Sequence, residues 1–302
     1  MRQAQGERNM LIKRIRDLAR ARKELTRKPA GEVRLPAQVR QRIKEVFGEE
    51  LSAGEAVARI VSAVREKGDE AVRRYTRLLD RARLSRLEVC EEEIELAHET
   101  VDPELALALV QAAERIRRFH EECLRHGPDG FRAKGVGRMV QPIGRVGIYI
   151  PGGAAVYPST VLMTAVPARV AGVGEIVLAT PPSPDGSVAP AILVAADIAG
   201  ADRIFKIGGA QAIAAMAFGT ASVPRVDKVC GPGNIFVLLA KKMVYGAVDI
   251  DGLAGPSEVM VLADAAASAE LCAAELLAQA EHDPLASAIL VTTSETLADE
   301  VE

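Results

Sequence analysis

The sequence contains no tryptophan, and aromatic residues make up only 3% of its 302 residues. Surfaces that bind single-stranded nucleic acid stack bases on aromatic side chains, so this scarcity disfavours such a surface. The formal net charge of −3 gives no strong attraction to nucleic acid or to an anionic membrane. No apolar run approaches the roughly 20 residues that a membrane-spanning helix needs. We therefore expect a small-molecule partner, with no nucleic acid and no membrane.

Cysteine is also sparse and shows no pairing pattern. Cys90, Cys123, Cys230 and Cys272 lie far apart in the chain, with no CxxC spacing. No apolar segment near the N-terminus is typical of a signal peptide. Both observations predict a reducing, cytoplasmic location. With 49% hydrophobic residues, a chain of this length can bury the cores of two domains.

The first part of the chain is predicted to be helical. Residues 1–31 contain ten Lys or Arg against three acids, and we interpret them as a basic N-terminal arm to which we assign no function. Successive amphipathic patterns between about Pro36 and Arg125 predict four helices, at Ala56–Glu66, Asp69–Leu79, Glu91–Glu99 and Pro103–Arg125. The apolar stripe from Val57 to Val64 falls on one helix face, which indicates packing and not catalysis.

From Gly144 onward the pattern changes to alternating strands and helices. Strands rich in Val and Ile, alternating with helices of about a dozen residues, are typical of a mostly parallel sheet covered on both faces. The sequence therefore predicts a Rossmann-like unit, although no GxGxxG follows its first strand and the fold alone leaves the ligand open. The predicted strands are Arg145–Ile150, Glu175–Thr180 and Arg203–Ile207, and the predicted helices are Ser159–Ala171, Ala189–Ala199 and Gly209–Phe218.

Two glycine-proline turns follow. The turn Gly231-Pro232-Gly233 leads into an apolar helix at Asn234. Unpaired N–H groups and the helix dipole at such a start favour an anion such as a phosphate. The alternative is that Asn234 only caps the helix. The second turn, at residues 254–258, opens a further strand.

Three polar residues lie at or just after the ends of predicted strands, where open α/β sheets bind their ligands. Tyr149 ends the first strand, Gln211 opens the helix after Gly208-Gly209, and Asn234 opens the helix after the first glycine-proline turn. Each also has a purely structural interpretation, as a half-buried strand residue, a polar residue at a helix start and a helix cap. Together they predict one polar rim beside the sheet.

A metal site is suggested by two residues on the predicted helix Ser268–His282. Gln279 and His282 are three apart and share a helix face, so both could reach one metal ion. The alternative is a solvated polar face, which is the usual meaning of QxxH on a helix. The histidines for which we expect no metal-binding role are His98, His120 and His126.

The longest ordered motif is Ile250-Asp251-x-x-Ala254-Gly255-Pro256-Ser257-Glu258. Four further motifs accompany it: IPGG after Tyr149, GGAQAIAA around Gln211, GPGN ending at Asn234 and AQAEH ending at His282. On these motifs the chain, from about Val33 onward, resembles the histidinol dehydrogenase family.

The resemblance implies roles for individual residues. It implies that Tyr149, Gln211 and Asn234 contact NAD, that Gln279 and His282 bind zinc and the substrate, and that Ser257 contacts the substrate. NAD and zinc are thus the expected cofactors, and a homodimer is the expected assembly.

The implied reaction is the NAD- and zinc-dependent oxidation of L-histidinol to L-histidine through the aldehyde, by two hydride transfers. In the family, a Glu–His acid–base pair and the other zinc ligands come later than Glu302. We therefore expect no catalytic residue in this chain, and we interpret it as a truncated enzyme that is inactive by itself. The alternatives are a relative that oxidises another polar alcohol, such as a sulfonated diol, a non-catalytic fragment, and a thiohemiacetal mechanism at Cys230.

For the domain organisation we expect an α/β protein with three parts. Residues 1–31 form the basic arm. Residues 149–256 form the Rossmann-like, mostly parallel NAD-binding domain. Residues 32–148 and 257–302 form a second, discontinuous α/β domain with a helical N-terminal region.

Overall fold

A computed structural model describes residues 12–26, 35–127, 129–152, 156–253, 258–282 and 286–302, apart from the side chain of residue 282. It divides the chain into two compact units. The larger unit is Leu35–Gly255, and the smaller one combines Met1–Arg34 with Pro256–Glu302.

The described chain is helical as far as Arg125, and strands and helices largely alternate from Arg145 onward. In chain order the α-helices are α1 (Leu18–Leu25), α2 (Ala37–Phe47), α3 (Ala53–Lys67), α4 (Asp69–Tyr75), α5 (Glu91–Thr100), α6 (Pro103–Arg125), α7 (Pro158–Val170), α8 (Pro190–Ala199), α9 (Gly209–Phe218), α10 (Ile235–Val244), α11 (Ala269–His282) and α12 (Glu295–Val301). The strands are β1 (Phe131–Ala133), β2 (Val136–Arg138), β3 (Arg145–Tyr149), β4 (Glu175–Thr180), β5 (Arg203–Lys206), β6 (Lys228–Cys230), β7 (Asp249–Ile250), β8 (Glu258–Ala263) and β9 (Ser287–Thr292). A π-helix, Thr76–Asp80, continues α4.

The core of the larger unit is a parallel sheet with strand order β5-β4-β3-β6-β7. Its central strand β3 pairs with β4 on one side and β6 on the other, with Ile148 opposite both Leu178 and Cys230. After β3, the chain adds β4 and β5 on one side of this strand and then β6 and β7 on the other side. The strand order therefore reverses between β3 and β6. This is the place where doubly wound sheets open a crevice for ligands. The predicted Rossmann-like α/β class is confirmed.

Helices cover both faces of this sheet. On one face α7 packs between α6 and α8, and α5 packs on α8. On the other face α3 packs against α9 and α10, and α4 against α9. The apolar stripe predicted between Val57 and Val64 is buried there. Helix α3 begins with a capping box, in which the Ser52 hydroxyl accepts from the Glu55 N–H and the Glu55 carboxylate accepts from the Ser52 N–H.

The boundaries of the compact units differ from the domain division that the sequence predicted. Residues 35–148 belong to the same unit as the sheet and not to the unit that contains residues 258–302. The physical reason is that the apolar faces of α3, α5 and α6 are buried against the helices that cover the sheet. Sequence periodicity indicates that such a face is buried, but it does not identify the partner.

The smaller unit has its own two-stranded parallel sheet. Strands β8 and β9 pair from Glu258–Ser287 to Ala263–Thr292, and α11 packs on both. As predicted, β8 forms no part of the sheet that contains β3. In the basic arm, Arg14 forms ion pairs with Asp299 and Glu302 at the end of α12. No helix in the described ranges is long and apolar enough to cross a membrane.

The larger unit's stability can be tested at Phe205, whose side chain in β5 is fully buried. We expect Phe205→Ala to lower the free energy of unfolding by about 3–5 kcal/mol, because it removes buried apolar surface and leaves a cavity. Leu96→Ala is the control, since Leu96 on α5 is 61% exposed and its loss should change stability by about 0.5 kcal/mol or less. Urea unfolding followed by circular dichroism measures both. Equal unfolding midpoints would contradict the burial of Phe205.

Candidate functional site

The larger unit contains a cleft of about 650 Å³ beside the carboxyl ends of the sheet strands. Its lining includes Tyr149, Gln211 and Asn234, the three residues that the sequence predicted as cofactor contacts. Apolar side chains form much of the remaining wall, among them Ile43, Phe47, Val156, Val188, Ile192 and Phe236. A shallower depression of about 400 Å³ lies at the β7 edge and contains none of the three. We take the larger cleft as the candidate site, because a mostly apolar cleft with a few convergent polar groups is typical of small-molecule sites.

Tyr149 is buried at the end of β3. Its hydroxyl oxygen accepts a hydrogen bond of 3.1 Å from the Gly209 N–H, at the start of α9. Gly209 has a φ of 56°, a left-handed conformation that favours glycine. Burial raises the pKa of Tyr149 to about 12, so its hydroxyl stays neutral near pH 7. Tyr149 is therefore not simply a half-buried strand residue, because its hydroxyl connects the end of β3 to the start of α9 beside the cleft.

Gln211 is fully buried in the first turn of α9. Its amide nitrogen donates a 3.2 Å hydrogen bond to a carboxylate oxygen of Asp80. Its carbonyl oxygen has no hydrogen-bond partner among the described residues. An unpaired buried acceptor costs about 1–3 kcal/mol, so its retention in a cleft needs an explanation.

Asp80 also lines the cleft and was not predicted from the sequence. Burial raises the pKa of its carboxyl group to about 7, and the hydrogen bond from Gln211 opposes this shift only in part. The helix predicted over Asp69–Leu79 is α-helical only as far as Tyr75, and the π-helix Thr76–Asp80 follows it. A π-helix rotates the following side chains relative to an α-helical register, and such turns are frequent at functional sites. The only local sequence signal is an acid directly after two leucines.

Asn234 has the structural role that was proposed as the alternative. Its side-chain oxygen accepts hydrogen bonds from the N–H groups of Phe236 and Val237, at 3.0 and 3.3 Å, and so caps α10. The residue is exposed and lines the cleft. Because the cap uses the carbonyl oxygen, the amide NH₂ group is the part of this side chain suited to a ligand.

The turn before α10 is held by a buried ion pair. Lys241, which is fully buried, forms an ion pair with Asp251 and donates to the Gly231 carbonyl oxygen at 2.7 Å. Asp251 in turn accepts from the Gly231 N–H at 2.7 Å. Gly231 has a φ of 109°, and a Cβ atom there would lie 2.1 Å from the Tyr149 carbonyl oxygen. Only glycine allows this close approach.

The phosphate-binding interpretation of this turn needs a correction. The N–H group of Gly231 donates to Asp251, and those of Phe236 and Val237 donate to Asn234. Fewer backbone donors than predicted are therefore available to an anion. The physical reason is that side chains from the same segment satisfy them first.

Cys230 ends β6 beside the cleft's glycine-proline turn and was considered as a nucleophile. Burial raises the pKa of its thiol to about 11, and the negative charge of Asp251 adds to this shift. The nucleophilic form of cysteine is the thiolate, which is scarce near pH 7 at such a pKa. The environment of Cys230 thus disfavours the thiohemiacetal alternative.

The predicted metal ligands lie in the smaller unit. Gln279 and His282 are in the last turn of α11, as predicted, and the backbone register puts them on one face of the helix. Within the described ranges, no cluster of three or more His, Cys, Asp or Glu residues could hold a metal ion. An amide oxygen and an imidazole nitrogen are ligand types that zinc accepts, but two ligands do not complete a site. Ser257, the predicted substrate contact, lies outside the described residues.

The other histidines have identified neighbours. His98 contacts Asp197 at 2.9 Å, and His126 contacts Glu122 at 3.1 Å. His120 packs edge-on against the ring of Phe119. All three lie on or next to α5 and α6, away from Gln279 and His282 in sequence.

A sequence model of histidinol dehydrogenases matches residues 45–302. The chain belongs to the histidinol dehydrogenase family. It is 53% identical over 293 residues to a histidinol dehydrogenase of Dehalococcoides mccartyi, covering 96% of this chain and 66% of the relative. It is 55% identical over 251 residues to that of Methanothermobacter thermautotrophicus, covering 82% and 58%.

A solved structure of histidinol dehydrogenase from Elizabethkingia anophelis is also similar to this chain. The TM-score is 0.74 at 37% identity, and the match covers 88% of this chain and 63% of that one. The chain therefore spans about two thirds or less of the length of these members of the histidinol dehydrogenase family.

The buried ion pair gives a test of how the glycine-proline turn is held. We expect Lys241→Met to destabilise the larger unit by about 3 kcal/mol, because the Asp251 carboxylate loses the cation that compensates its charge. Lys242→Met is the control, since Lys242 is an exposed neighbour in the same helix. Thermal or urea unfolding of both variants measures the difference. A loss of stability for Lys242→Met as large as that for Lys241→Met would show that the pair has no special role.

Proposed function

We propose that the chain provides the NAD-binding cleft and two zinc ligands of a dehydrogenase that oxidises L-histidinol to L-histidine through the aldehyde. The observation that carries this proposal is that Tyr149, Gln211 and Asn234, which are far apart in sequence, line one cleft at the point where the strand order reverses. Membership of the histidinol dehydrogenase family supports the choice of substrate.

The cleft has the size and lining that a nucleotide cofactor needs. Its volume of about 650 Å³ lies within the usual range for small-molecule sites, and its apolar wall can exclude water from the reacting carbon. Hydride transfer requires the cofactor to be held in one orientation against the substrate. In our proposal the neutral hydroxyl of Tyr149, the amide of Gln211 and the amide of Asn234 fix that orientation by hydrogen bonds.

The substrate end is proposed for the segment that contains Ser257, Gln279 and His282. Zinc, when bound, would act as a Lewis acid and orient the polar groups of the substrate. Gln279 and His282 would hold it through an amide oxygen and an imidazole nitrogen from one turn of α11. This chain's contribution to the zinc site is thus two ligands at helical spacing.

We also propose a homodimer and a cytoplasmic location. Apolar side chains are exposed along α6 and on the β1–β2 hairpin, which supports a subunit interface there. They include Leu107, Phe119, Leu124, Phe131 and Val136. The four cysteines, all in the described ranges, are unpaired, as is usual in a reducing compartment.

The NAD proposal is tested by separating the two possible roles of Asn234. Asp caps a helix about as well as Asn, but it replaces the amide NH₂ by a negative charge near an anionic ligand. We therefore expect Asn234→Asp to keep the melting temperature and to weaken NAD binding about tenfold or more. We expect Tyr149→Phe to weaken NAD binding as well, because it removes the hydroxyl. Isothermal titration with NAD measures both variants.

Lys228→Gln is the control for this titration, since Lys228 lies on the same strand as Cys230 and pairs with Asp249 outside the cleft. Unchanged NAD affinity in both Asn234→Asp and Tyr149→Phe would contradict the proposal that these two residues contact NAD. Asn234 would then have only its role as a helix cap.

The zinc proposal is tested at His282. We expect His282→Ala to weaken zinc binding about tenfold or more, because one of two neighbouring ligands is lost. His98→Ala is the matched control, since His98 already has a carboxylate partner in Asp197. Competition titration with a chromophoric zinc chelator measures both affinities. Equal zinc affinity in the two variants would contradict the assignment of His282 as a ligand.

A further inference from the structure

Two neighbouring acceptors on one wall of the cleft lack sufficient donors. The Gln211 carbonyl oxygen has no partner among the described residues, and the Asp80 carboxylate accepts one hydrogen bond, from the Gln211 amide. A carboxylate has room for about four hydrogen bonds. A ligand that presents two adjacent donors would satisfy both groups, whereas a phosphate presents acceptors and negative charge.

In the part of the chain that the structure describes, no cation compensates the charge of Asp80. The pKa of its carboxyl is raised to about 7 by burial, and Gln211 is the one group that opposes the shift. The other titratable or charged side chains that line the cleft are Arg42, from α2, and Tyr149, from β3. Arg42 donates to the Leu78 carbonyl oxygen at 2.5 Å and to Glu45 at 3.2 Å. Tyr149 remains neutral below its pKa of about 12.

The local backbone presents Asp80 to the cleft. It is the last residue of the π-helix Thr76–Asp80, and the next residue, Arg81, has a φ of 61°. The guanidinium of Arg42 holds the π-helix at the Leu78 carbonyl. A non-glycine residue with a positive φ is uncommon, and both π-helical turns and such residues are frequent at functional sites.

The position of Asp80 relative to the sheet indicates which part of a dinucleotide it meets. In doubly wound folds, an acid at the end of the second strand binds the ribose on the adenosine side, and a 2′-phosphate is excluded there. Here the second strand, β4, ends in Thr180 and is followed by Pro181 and Pro182, with no acid. Asp80, which belongs to the π-helix after α4, lies close to the end of β4 instead. One of its oxygens is 3.1 Å from the Cβ position of Gly208, which itself would lie 2.5 Å from Pro181.

We propose that Asp80, oriented with Gln211, accepts hydrogen bonds from the adenosine ribose of the dinucleotide and so selects NAD over NADP. This inference rests on the proposed NAD-binding function. It adds a specificity-determining residue to the three cleft residues already assigned. It also explains why, among the described residues, the Gln211 carbonyl has no donor and the Asp80 carboxylate has one. A 2′-phosphate at this position would meet an uncompensated carboxylate.

The test compares NAD with NADP as ligands for the 302-residue chain. At pH 8, where Asp80 is ionised, we expect the unchanged chain to bind NAD at least about tenfold more tightly than NADP. In Asp80→Asn the side-chain shape is kept, and its amide can still bond to Gln211, but the charge is removed. We expect this variant to bind NAD more weakly and NADP more tightly, so that the preference falls to about threefold or less.

A pH series provides a readout that a merely structural role would not change. Between pH 6 and pH 8 the NAD affinity of the unchanged chain should rise, because the ionised carboxylate is the better acceptor and forms as the pH passes about 7. Asp80→Asn should show no such rise. Asn234→Asp is the control, since it should weaken NAD binding but keep the rise with pH. Melting temperatures establish that each variant is folded.

The outcomes separate this inference from the function on which it rests. In one outcome, Asn234→Asp weakens NAD binding, but Asp80→Asn changes neither the NAD affinity nor its dependence on pH. This outcome would overturn the role of Asp80 and leave the proposal of an NAD-binding cleft in place. Equal affinity of the unchanged chain for NAD and NADP would likewise overturn it. Absence of NAD binding by the unchanged, folded chain would overturn both proposals.

Discussion

The cleft depends on one close contact, between the glycine turn after β6 and the end of β3. Gly231 lies so near the Tyr149 carbonyl that no side chain fits between them. Lys241 and Asp251 bind this glycine from both sides, one at its carbonyl and the other at its N–H. Removing one partner of such a buried pair is strongly destabilising, because the other charge is then left uncompensated. The Lys241–Asp251 pair thus holds the turn of β6 against the end of β3 through both backbone groups of Gly231.

The polar chemistry of the cleft is arranged around this rigid edge. Tyr149 and Gln211 are buried, and each is tied to a second segment, at Gly209 and Asp80 respectively. Burial raises the pKa of Tyr149 to about 12 and brings the pKa of Asp80 close to 7. Near Tyr149, Gln211 and Asp80, the cleft therefore favours a part of a ligand that is rich in hydroxyl and amide groups.

The proposed cofactor contacts and the proposed zinc ligands lie in different compact units of the chain. The larger unit contains the cleft and the proposed cofactor contacts. The smaller one contains the helix that bears Gln279 and His282, together with the segment of Ser257. A dehydrogenase that uses both a dinucleotide and a metal needs each group held by a rigid scaffold, and here each scaffold has its own sheet. The family's members are longer than this chain, so the proposed activity concerns the enzyme as a whole.

The sequence by itself determined the class of the fold and most of its elements. Alternation of apolar strands and helices is a local pattern, and the predicted bounds of β4, α6 and α9 agree with the structure because periodicity and caps are read residue by residue. The positions of Tyr149, Gln211 and Asn234 at or just after the ends of predicted strands were sufficient to predict that they lie beside one another. Only the tertiary structure revealed Asp80, since the π-helix that turns it into the cleft has no sequence signature, and burial rather than residue type raises its pKa. The same holds for the packing of α3, α5 and α6, because an apolar stripe indicates that a face is buried without specifying the surface that buries it.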